Sequence, residues 1–346
     1  MRGKRIISLF LSIVVFASTV LGVSITSQAS SIKPIAFGET VSGECGYGEY
    51  DGRSDFHEHD YFEFKVPVSG TVTFDVTGTT YRGTYAPKDD IEIHVYKSPY
   101  DMKDFNYDYE IHANYSDAFG YGITKKSINL QAGTYYIRTE PFCSGGNAFE
   151  YYDYSFVLTY KPNILKPSSF KVLSRNTKLL KLSWRKVPGA NGYQLQRKSG
   201  DRWITVENTT ATSCTVKNLK AGTAYDFRVR TYRIIDGKRY YSDWTTLKTP
   251  TEPSKPSITT PSTNGKHQVT AKWKKVSACS GYQVQYSTSS KFKSPTVKTV
   301  SGRSKTSCTT KLKKGKKYYI RVRSYKNFNG KKYYSAWSNA KSIKCK

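Results

Sequence analysis

Hydrophobic and polar positions alternate with a period of two along most of this chain. In YFEFKV (61–66), for example, Phe62, Phe64 and Val66 share one face. A β-strand sends successive side chains to opposite faces, so this pattern predicts strands. No segment after the N-terminus carries a helical apolar stripe, which favours an all-β protein. The same alternation recurs in TVTFDV (71–76), IEIHVY (91–96), TYYIRT (134–139) and YSFVLTY (154–160).

The C-terminal part of the chain contains an internal repeat. LSWRKVPGANGYQLQ (182–196) matches AKWKKVSACSGYQVQ (271–285), and LKAGTAYDFRVRTY (219–232) matches LKKGKKYYIRVRSY (312–325). A period of about 90 residues is too long for a solenoid repeat and indicates a duplicated domain. Proline-bearing linkers, at 161–169 and 249–257, flank the copies.

The pattern in each copy predicts a β-sandwich and includes a characteristic tryptophan and tyrosine. An early strand in each copy has apolar residues at alternate positions and ends at a tryptophan, Trp184 in one copy and Trp273 in the other. A Leu-x-x-Gly-x-x-Tyr spacing follows in each copy, ending at Tyr225 and at Tyr318. These features resemble fibronectin type III domains over residues 167–249 and 253–346. The resemblance implies an immunoglobulin-like sandwich with a tyrosine corner, in which the tyrosine hydroxyl bonds to upstream backbone. Because the chain has no Arg-Gly-Asp tripeptide, the integrin-binding role of some family members is not expected.

One phrase occurs twice, as DGKRYYSDWTT (236–246) and NGKKYYSAWSN (329–339). Asp-Gly and Asn-Gly predict two-residue hairpin turns. Regular pairing across these turns would put Trp244 and Trp337 in the core, whereas a one-residue bulge would turn them towards the strand arginines. The ending partly resembles the Trp-Ser-x-Trp-Ser element of cytokine-receptor domains, which implies the bulged arrangement with stacked arginines. We therefore predict a structural ladder here and not a ligand site.

Residues 31–163 do not match the repeat. Their pattern, HDYFEFKVPVSGTVTFDV with LQAGTYYIRTEPF and YDYSFVLTY, resembles the bacterial pre-peptidase C-terminal domain and related jelly-roll modules. That resemblance implies a jelly-roll-like sandwich with an auxiliary binding role beside a protease or glycosidase, although no such catalytic domain is recognised in this sequence. The prediction is thus three consecutive β-sandwich domains after a leader.

The leader reads as a secretory signal peptide. Three positive charges in MRGKR precede an apolar run from Ile6 to Val23, and small residues follow in SQASS. We predict a signal peptide at residues 1–29 and a secreted, extracellular bacterial protein associated with the cell wall. The alternative is an uncleaved membrane anchor, because this largely apolar run of eighteen residues nearly spans a bilayer.

Charge separates the two parts of the chain. Residues 31–160 contain 10 Lys and Arg and 20 Asp and Glu, a net charge of −10, whereas residues 161–346 contain 42 basic and 6 acidic residues, a net +36. In a secreted protein such a basic surface favours anionic wall polymers over any specific nucleic acid as a partner. A solvated face, or docking of the acidic domain within the molecule, would account for the charge equally.

Six cysteines suggest at most one disulfide. Cys45 and Cys143 are the pair in the N-terminal domain, and a bridge between them would close a loop worth roughly 4–5 kcal/mol. Cys214 and Cys308 occupy equivalent strand positions and are predicted to be small buried thiols. Cys279 and Cys345 fall at opposite poles of one sandwich and should not pair.

Metal-ligating residue types occur in the acidic domain. His57 and His59 share a strand face, so HEHD (57–60) could hold a transition metal, but it also suits a polar loop. Acidic residues on separate loops could supply oxygen ligands to Ca²⁺, namely Asp51, Asp55, Asp60, Asp89 and Asp90. No cofactor is predicted beyond this Ca²⁺ option, and no metal site is assigned.

No catalytic residue is assigned, because the chain lacks a Gly-x-Ser-x-Gly elbow and a P-loop. The tyrosine-rich segment 98–122 is too long for a simple connection and offers ligand contacts or covers the domain's own edge. The sequence thus favours a non-catalytic, modular binding protein that recognises a glycan or protein through residues 31–163. The alternatives are an extracellular enzyme or accessory subunit with its site in that domain, and a structural linker. The predicted contact residues are Tyr100, Tyr107, Tyr109 and Tyr115.

Overall fold

The computed structural model describes residues 31–49, 55–76, 80–82, 91–103, 107–113, 124–141 and 150–346. Within these residues the protein is all-β, apart from one 3₁₀ turn at Asp101–Lys103. No helix in the described part of the chain is long and apolar enough to span a bilayer. The predicted signal peptide lies outside the described residues.

The described chain divides into two compact units. The first comprises the described parts of residues up to 66, 72–128 and 133–160, and the second comprises 67–71, 129–132 and 161–346. Eleven strands, β1 to β11, precede residue 163 in the described part of the chain: Lys33–Pro34, Thr40–Glu49, Asp55–Glu58, Tyr61–Val66, Gly70–Val76, Thr80–Arg82, Ile91–Tyr96, Tyr109–Ala113, Thr124–Leu130, Gly133–Pro141 and Glu150–Pro162.

The eleven strands build two sheets that face each other. One sheet has the order β1-β4-β10-β7-β8, and the other has the order β3-β2-β11-β5-β9 with β6 paired to β11. Phe62 of the first sheet meets Phe156 of the second edge-on, with ring centroids 5.7 Å apart. Phe64 meets Phe74 in the same way at 6.2 Å. The alternation in the sequence therefore marks a sandwich core, as predicted.

The first sheet also buries its other face. Glu92, His94 and Tyr96 alternate with Ile93 and Val95 along β7, yet all five are buried. In a sandwich with one solvated face the alternating polar residues would be exposed. This outer face is covered, and it carries charge.

The two repeats have matching strand sets. Strands β12 to β19 are Lys171–Arg175, Leu180–Ser183, Gly192–Ser199, Arg202–Thr209, Ser213–Val216, Ala224–Ile235, Lys238–Tyr241 and Thr245–Pro250. Strands β20 to β27 are Ser262–Thr263, Gln268–Lys272, Gly281–Ser287, Thr296–Ser301, Ser307–Lys311, Lys317–Phe328, Lys331–Tyr334 and Lys341–Lys344. Each set forms a three-stranded sheet, β12-β13-β16 or β20-β21-β24, and a larger sheet, β15-β14-β17-β18 with β19 or β23-β22-β25-β26 with β27.

Each repeat has its own core and the expected tyrosine corner. Trp184 and Trp273 are buried within these cores. The Lys220 backbone N–H donates to the Tyr225 hydroxyl at 2.7 Å, and the Lys313 N–H donates to Tyr318 at 3.1 Å. The Leu-x-x-Gly-x-x-Tyr spacing thus formed the corner predicted for it, and the tyrosine ties the start of a long strand to the loop before it.

The repeated phrase folds as a hairpin with a bulge. Asp236 and Gly237 both have positive φ, as do Asn329 and Gly330, which is the geometry of a type I′ turn. Tyr232 pairs with Tyr241 on β18, but Val229 pairs with Thr245 on β19, one position beyond regular pairing. The predicted register shift is therefore present, and it lies between the hairpin and the tryptophan.

The two repeats are joined by a bonded linker. Thr251 is fully buried, and its hydroxyl donates to the carbonyl of Lys220 at 2.6 Å. Arg175 donates to the carbonyl of Pro250 at 2.7 Å and lies 4.4 Å from the ring centre of Tyr333 in the second repeat. These contacts fix the linker to the first sandwich and bring the second sandwich against it.

Gly222 and Gly315 provide a matched test of this joint. Both have positive φ, so alanine at either position carries a backbone cost of roughly 1–2 kcal/mol. A Cβ on Gly222 would also overlap the carbonyl oxygen of Ala278, whereas a Cβ on Gly315 would meet open space. We expect Gly222→Ala to destabilise the pair by a further ~1–3 kcal/mol in denaturant unfolding. Equal losses in the two variants would contradict the interface.

Candidate functional site

A group of charged side chains occupies the outer face of the first sheet in the acidic unit. Glu92 and His94 come from β7, Glu110 from β8, and Arg138 and Glu140 from β10. Cross-strand pairing sets His94 opposite Arg138 on one side and opposite Glu110 on the other. Since paired residues point to the same face, three strands contribute to one cluster.

His94 is the centre of this cluster and is only 2% exposed. Its Nε2 atom lies 3.1 Å from Glu92 Oε2 and 3.4 Å from Glu110 Oε1. Its Nδ1 atom lies 3.3 Å from Glu140 Oε1. Burial by itself lowers the pKa of His94, but the contacts with Glu140 and Glu92 and their charges raise it to about 9. The site is therefore strongly attractive to positive charge.

Arg138 connects the cluster to its surroundings. The guanidinium pairs with Glu140 through Nε and donates from Nη1 to the carbonyl of Met102 at 2.6 Å. A second nitrogen, Nη2, lies 3.4 Å from His59 Nε2. Burial raises the pKa of Glu140, but contact with His94 and the charge of Arg138 lower it below its usual value overall. Glu140 is thus held ionised.

A short loop covers this face. The ring of Tyr107 stacks on His94, with centroids 4.3 Å apart and 12° between the planes. The base of the loop is fixed because Asp108 accepts hydrogen bonds from the Lys97 N–H at 2.9 Å and from Lys97 Nζ at 2.5 Å. Tyr100, between these anchors, is 80% exposed.

Three of the four tyrosines predicted as ligand contacts lie among the described residues. Tyr100 and Tyr107 are exposed on the covering loop, and Tyr109 is half-buried at the start of β8. Tyr115 lies outside the described residues. In the described part of segment 98–122, Tyr107 covers the sheet and Tyr100 faces solvent. The ligand contacts of this segment stay a prediction.

Two of the residues first considered for metals, His59 and Asp60, contact other protein groups. His59 Nδ1 lies 3.2 Å from the carbonyl of Thr139. Asp60 pairs with Lys33 at 2.9 Å and accepts a 2.5 Å hydrogen bond from Tyr154. The side chains of His57 and Asp55 are not described, and Asp51, Asp89 and Asp90 lie outside the described residues. The Ca²⁺ option stays a prediction, although Asp60 is engaged with protein partners.

The cysteines of the repeats are free thiols. Cys214 and Cys308 are half-buried against the cores, and Cys279 and Cys345 are fully buried. Desolvation raises the pKa of the Cys214 thiol, which makes it less reactive. Cys45 is buried, but Cys143 lies outside the described residues, so their bridge stays a prediction.

The tryptophans of the repeated phrase stack between arginines. Trp244 lies 4.1 Å from Arg228 and 4.3 Å from Arg230, measured from guanidinium carbon to ring centre. Trp337 lies 4.6 Å from Arg321 and 4.4 Å from Arg323. Further rings extend each ladder, with Trp203 and Tyr241 in one copy and Phe292 and Tyr334 in the other. The bulged arrangement is confirmed, and the phrase has a structural role.

Glutamines hold the arginines of these ladders in place. Gln194 accepts from Arg230 Nε at 2.9 Å, and Gln283 accepts from Arg323 Nε at the same distance. Equivalent bonds join Gln196 to Arg228 and Gln285 to Arg321. Each guanidinium is thus fixed edge-on by an amide and on its faces by aromatic rings.

Sequence reasoning missed the His94 cluster. The signal was present in IEIHVY, DYEIHA and IRTE, where charged residues occupy alternate positions of three strands. Read one strand at a time, those residues resemble a solvated face. Only the order of strands in the sheet reveals that they meet.

Comparisons with known proteins identify the family of the first repeat. The fibronectin type III domain family model matches residues 165–247. A two-domain fibronectin type III segment of chicken tenascin is 26% identical over 52% of this chain and 99% of that segment, with a TM-score of 0.35. The FN1–FN3 domains of chicken CNTN1 are 16% identical over 78% of this chain and 99% of theirs, with a TM-score of 0.31. No curated protein matches the chain.

This protein is therefore a modular β-sandwich protein in which one domain, at residues 165–247, matches the fibronectin type III family model. The second repeat shares the strand pairing, tyrosine corner and arginine ladder of the first. The bacterial origin and the family of the N-terminal sandwich stay predictions.

A substitution in the ladder distinguishes a structural role of the repeated phrase from a ligand-binding role. Trp337→Ala removes two cation–π contacts at a partly exposed site, so we expect a loss of about 1–2 kcal/mol in denaturant unfolding and unchanged ligand binding. Trp273→Ala, in the core of the same repeat, should cost about 3–5 kcal/mol. Loss of binding with unchanged stability in Trp337→Ala would restore the idea of a ligand site.

Proposed function

We propose that this is a secreted, non-catalytic modular binding protein. Its N-terminal sandwich binds an extracellular glycan through the loop that carries Tyr100 and Tyr107. Its fibronectin type III pair is a stiff spacer that also contacts anionic cell-wall polymers. The leader sequence supports export, and the opposite charges of the two parts support a division of roles.

The observation that carries the proposal is the exposure of Tyr100 on an anchored loop. It is the most exposed large apolar or aromatic side chain among the described residues. Two hydrogen bonds from Lys97 to Asp108 hold the base of the loop, and Tyr107 is fixed by its stacking on His94. Rings held in place before binding lose little conformational entropy when a ligand arrives. Flat aromatic faces beside carboxylates suit sugar rings and their hydroxyl groups.

The basic repeats carry exposed positive charge that would attract a second, anionic partner. Among the described residues, Lys248 and Asp226 form the one ion pair within 161–346, at 3.6 Å. A cluster of lysines in the second repeat is exposed: Lys311, Lys313, Lys314, Lys316, Lys317, Lys331 and Lys332. Because so few acidic side chains neutralise these charges, they are free to attract a polyanion over about 8–10 Å at physiological salt.

The state of Glu140 argues against one catalytic role for this residue, that of a glycosidase general acid. A glycosidase general acid needs a raised pKa so that it is protonated at neutral pH. His94 and Arg138 instead hold the pKa of Glu140 below its usual value. The buried carboxylate beside the loop is thus better suited to an ion cluster than to proton transfer to a leaving group.

Substitution of the exposed tyrosine tests the glycan site. Screening the full chain on a glycan array should give saturable binding, and Tyr100→Ala should weaken it by roughly tenfold or more, the loss of one aromatic contact worth ~1.5 kcal/mol. Tyr240→Ala, on a hairpin of the basic unit, is the matched control and should bind normally. Turnover of any bound glycan would favour the enzyme alternative, and binding only to proteins would reject a glycan ligand.

The polyanion contact has its own test. Binding of the full chain to soluble poly(glycerol phosphate) should fall steeply as salt rises to about 1 M, where screening acts within ~3 Å. Replacing Lys313, Lys314 and Lys316 with Gln should weaken binding by roughly tenfold, at ~0.5 kcal/mol per charge. The same change at Lys171, Lys181 and Lys186, all exposed in the first repeat, should have a smaller effect. Equal effects would show that net charge alone is responsible.

A further inference from the structure

We propose that Glu92, His94 and Glu110 form a binding site for one divalent transition-metal ion, with Zn²⁺ the ion that suits it best. The three residues each offer one ligand atom, and these atoms all lie within 4.8 Å of one another. The site is distinct from the HEHD segment and from the acidic loops considered above. It does not depend on the glycan proposal, since metal uptake is measured without a glycan.

Two of the three distances between the ligand atoms fit a tetrahedral ion. Ligand atoms held ~2.0–2.2 Å from a tetrahedral zinc ion lie roughly 3.3–3.6 Å from one another. His94 Nε2 is 3.1 Å from Glu92 Oε2 and 3.4 Å from Glu110 Oε1. Small side-chain movements would therefore complete three of four coordination positions.

The buried nitrogen that faces this space has no hydrogen bond. His94 Nε2 has no hydrogen-bond partner among the described residues, although two carboxylate oxygens are close by. A buried polar atom without a hydrogen bond is costly, and such an atom calls for a specific explanation. A metal ion at the point where the three ligand atoms converge would bind this nitrogen.

The opposite side of the imidazole is arranged as in metal sites. Ligating histidines usually donate their other ring nitrogen to a carboxylate, which fixes the tautomer and orients the ring. His94 Nδ1 lies 3.3 Å from Glu140, and Glu140 is itself paired with Arg138. Tyr107 stacks on the ring and restricts its rotation. Glu140 is therefore assigned as a positioning residue.

Charge balance also favours a dication. Glu92, Glu110 and Glu140 carry three negative charges, and Arg138 supplies one positive charge. With a neutral His94, the excess of two negative charges equals the charge of one divalent ion.

The donor set discriminates between ions. One imidazole and two carboxylates suit zinc, whereas Ca²⁺ takes six to eight oxygen ligands. Glu110 has a side chain that is 30% exposed, while Glu92 and His94 are nearly enclosed. The exposed side gives the ion a route in and leaves a fourth position for water.

Calorimetry on the full chain tests the site. After removal of metals with a chelator, titration with ZnCl₂ should show one site per chain, and CaCl₂ should show none there. We expect Glu110→Gln and His94→Asn to weaken zinc binding at least tenfold, and Glu140→Gln to weaken it about 10–100-fold. Asp75→Asn, on the opposite sheet, is the control and should bind zinc normally.

A second readout guards against misfolding. Zinc should raise the melting temperature of the wild type and of Asp75→Asn, but not that of Glu110→Gln, which alters the most exposed ligand and should fold normally in chelator. Zinc binding that survives in both Glu110→Gln and His94→Asn, or that is lost instead in His59→Asn, would overturn the assignment. Preference for Ca²⁺, or no saturable zinc binding by the wild type, would also overturn it.

Discussion

The organisation of this protein depends on the two-sided nature of a β-strand. Successive side chains point to opposite faces, so every residue that faces the core is followed by one that does not. In both units one sheet face away from the core carries an ordered set of side-chain contacts. In the repeats that face carries arginines between aromatic rings, and in the acidic sandwich it carries a histidine among carboxylates.

Both outer faces hold charged groups that are partly withdrawn from water, mainly positive in the repeats and mainly negative in the acidic sandwich. A guanidinium or a carboxylate that is partly withdrawn from water needs compensating contacts. Trp244 and Trp337 supply ring faces for arginines whose edges are bound by glutamines. In the acidic sandwich His94 and Arg138 serve that purpose for three glutamates. The first arrangement is complete within itself, whereas the second leaves an unbonded nitrogen and a partly exposed carboxylate. That difference makes the acidic domain the better place for a ligand.

The repeats were predictable because their signals are local. An Asp-Gly or Asn-Gly pair specifies its own turn, and Tyr225 forms its corner five residues upstream. The His94 cluster was not predictable in this way. Its histidine and glutamates are at positions 92, 94, 110 and 140. They belong to three strands that are far apart in the chain and share no sequence motif. The sequence also directed attention to HEHD, because two histidines lie close together there, yet His59 bonds to Thr139 and contacts Arg138.

The sequence by itself determined the all-β class, the duplication, the hairpins, the tyrosine corners and the division of charge. Each of these follows from composition or from the spacing of residues along the chain, and both can be read without knowing the tertiary structure. Only the tertiary structure decided that Trp244 and Trp337 stack on arginines, since a bulge of one residue reverses the face that a strand presents. It alone also brought Glu92, Glu110 and Glu140 to one histidine, because the order of strands in a sheet is set by packing between distant segments and not by their local pattern.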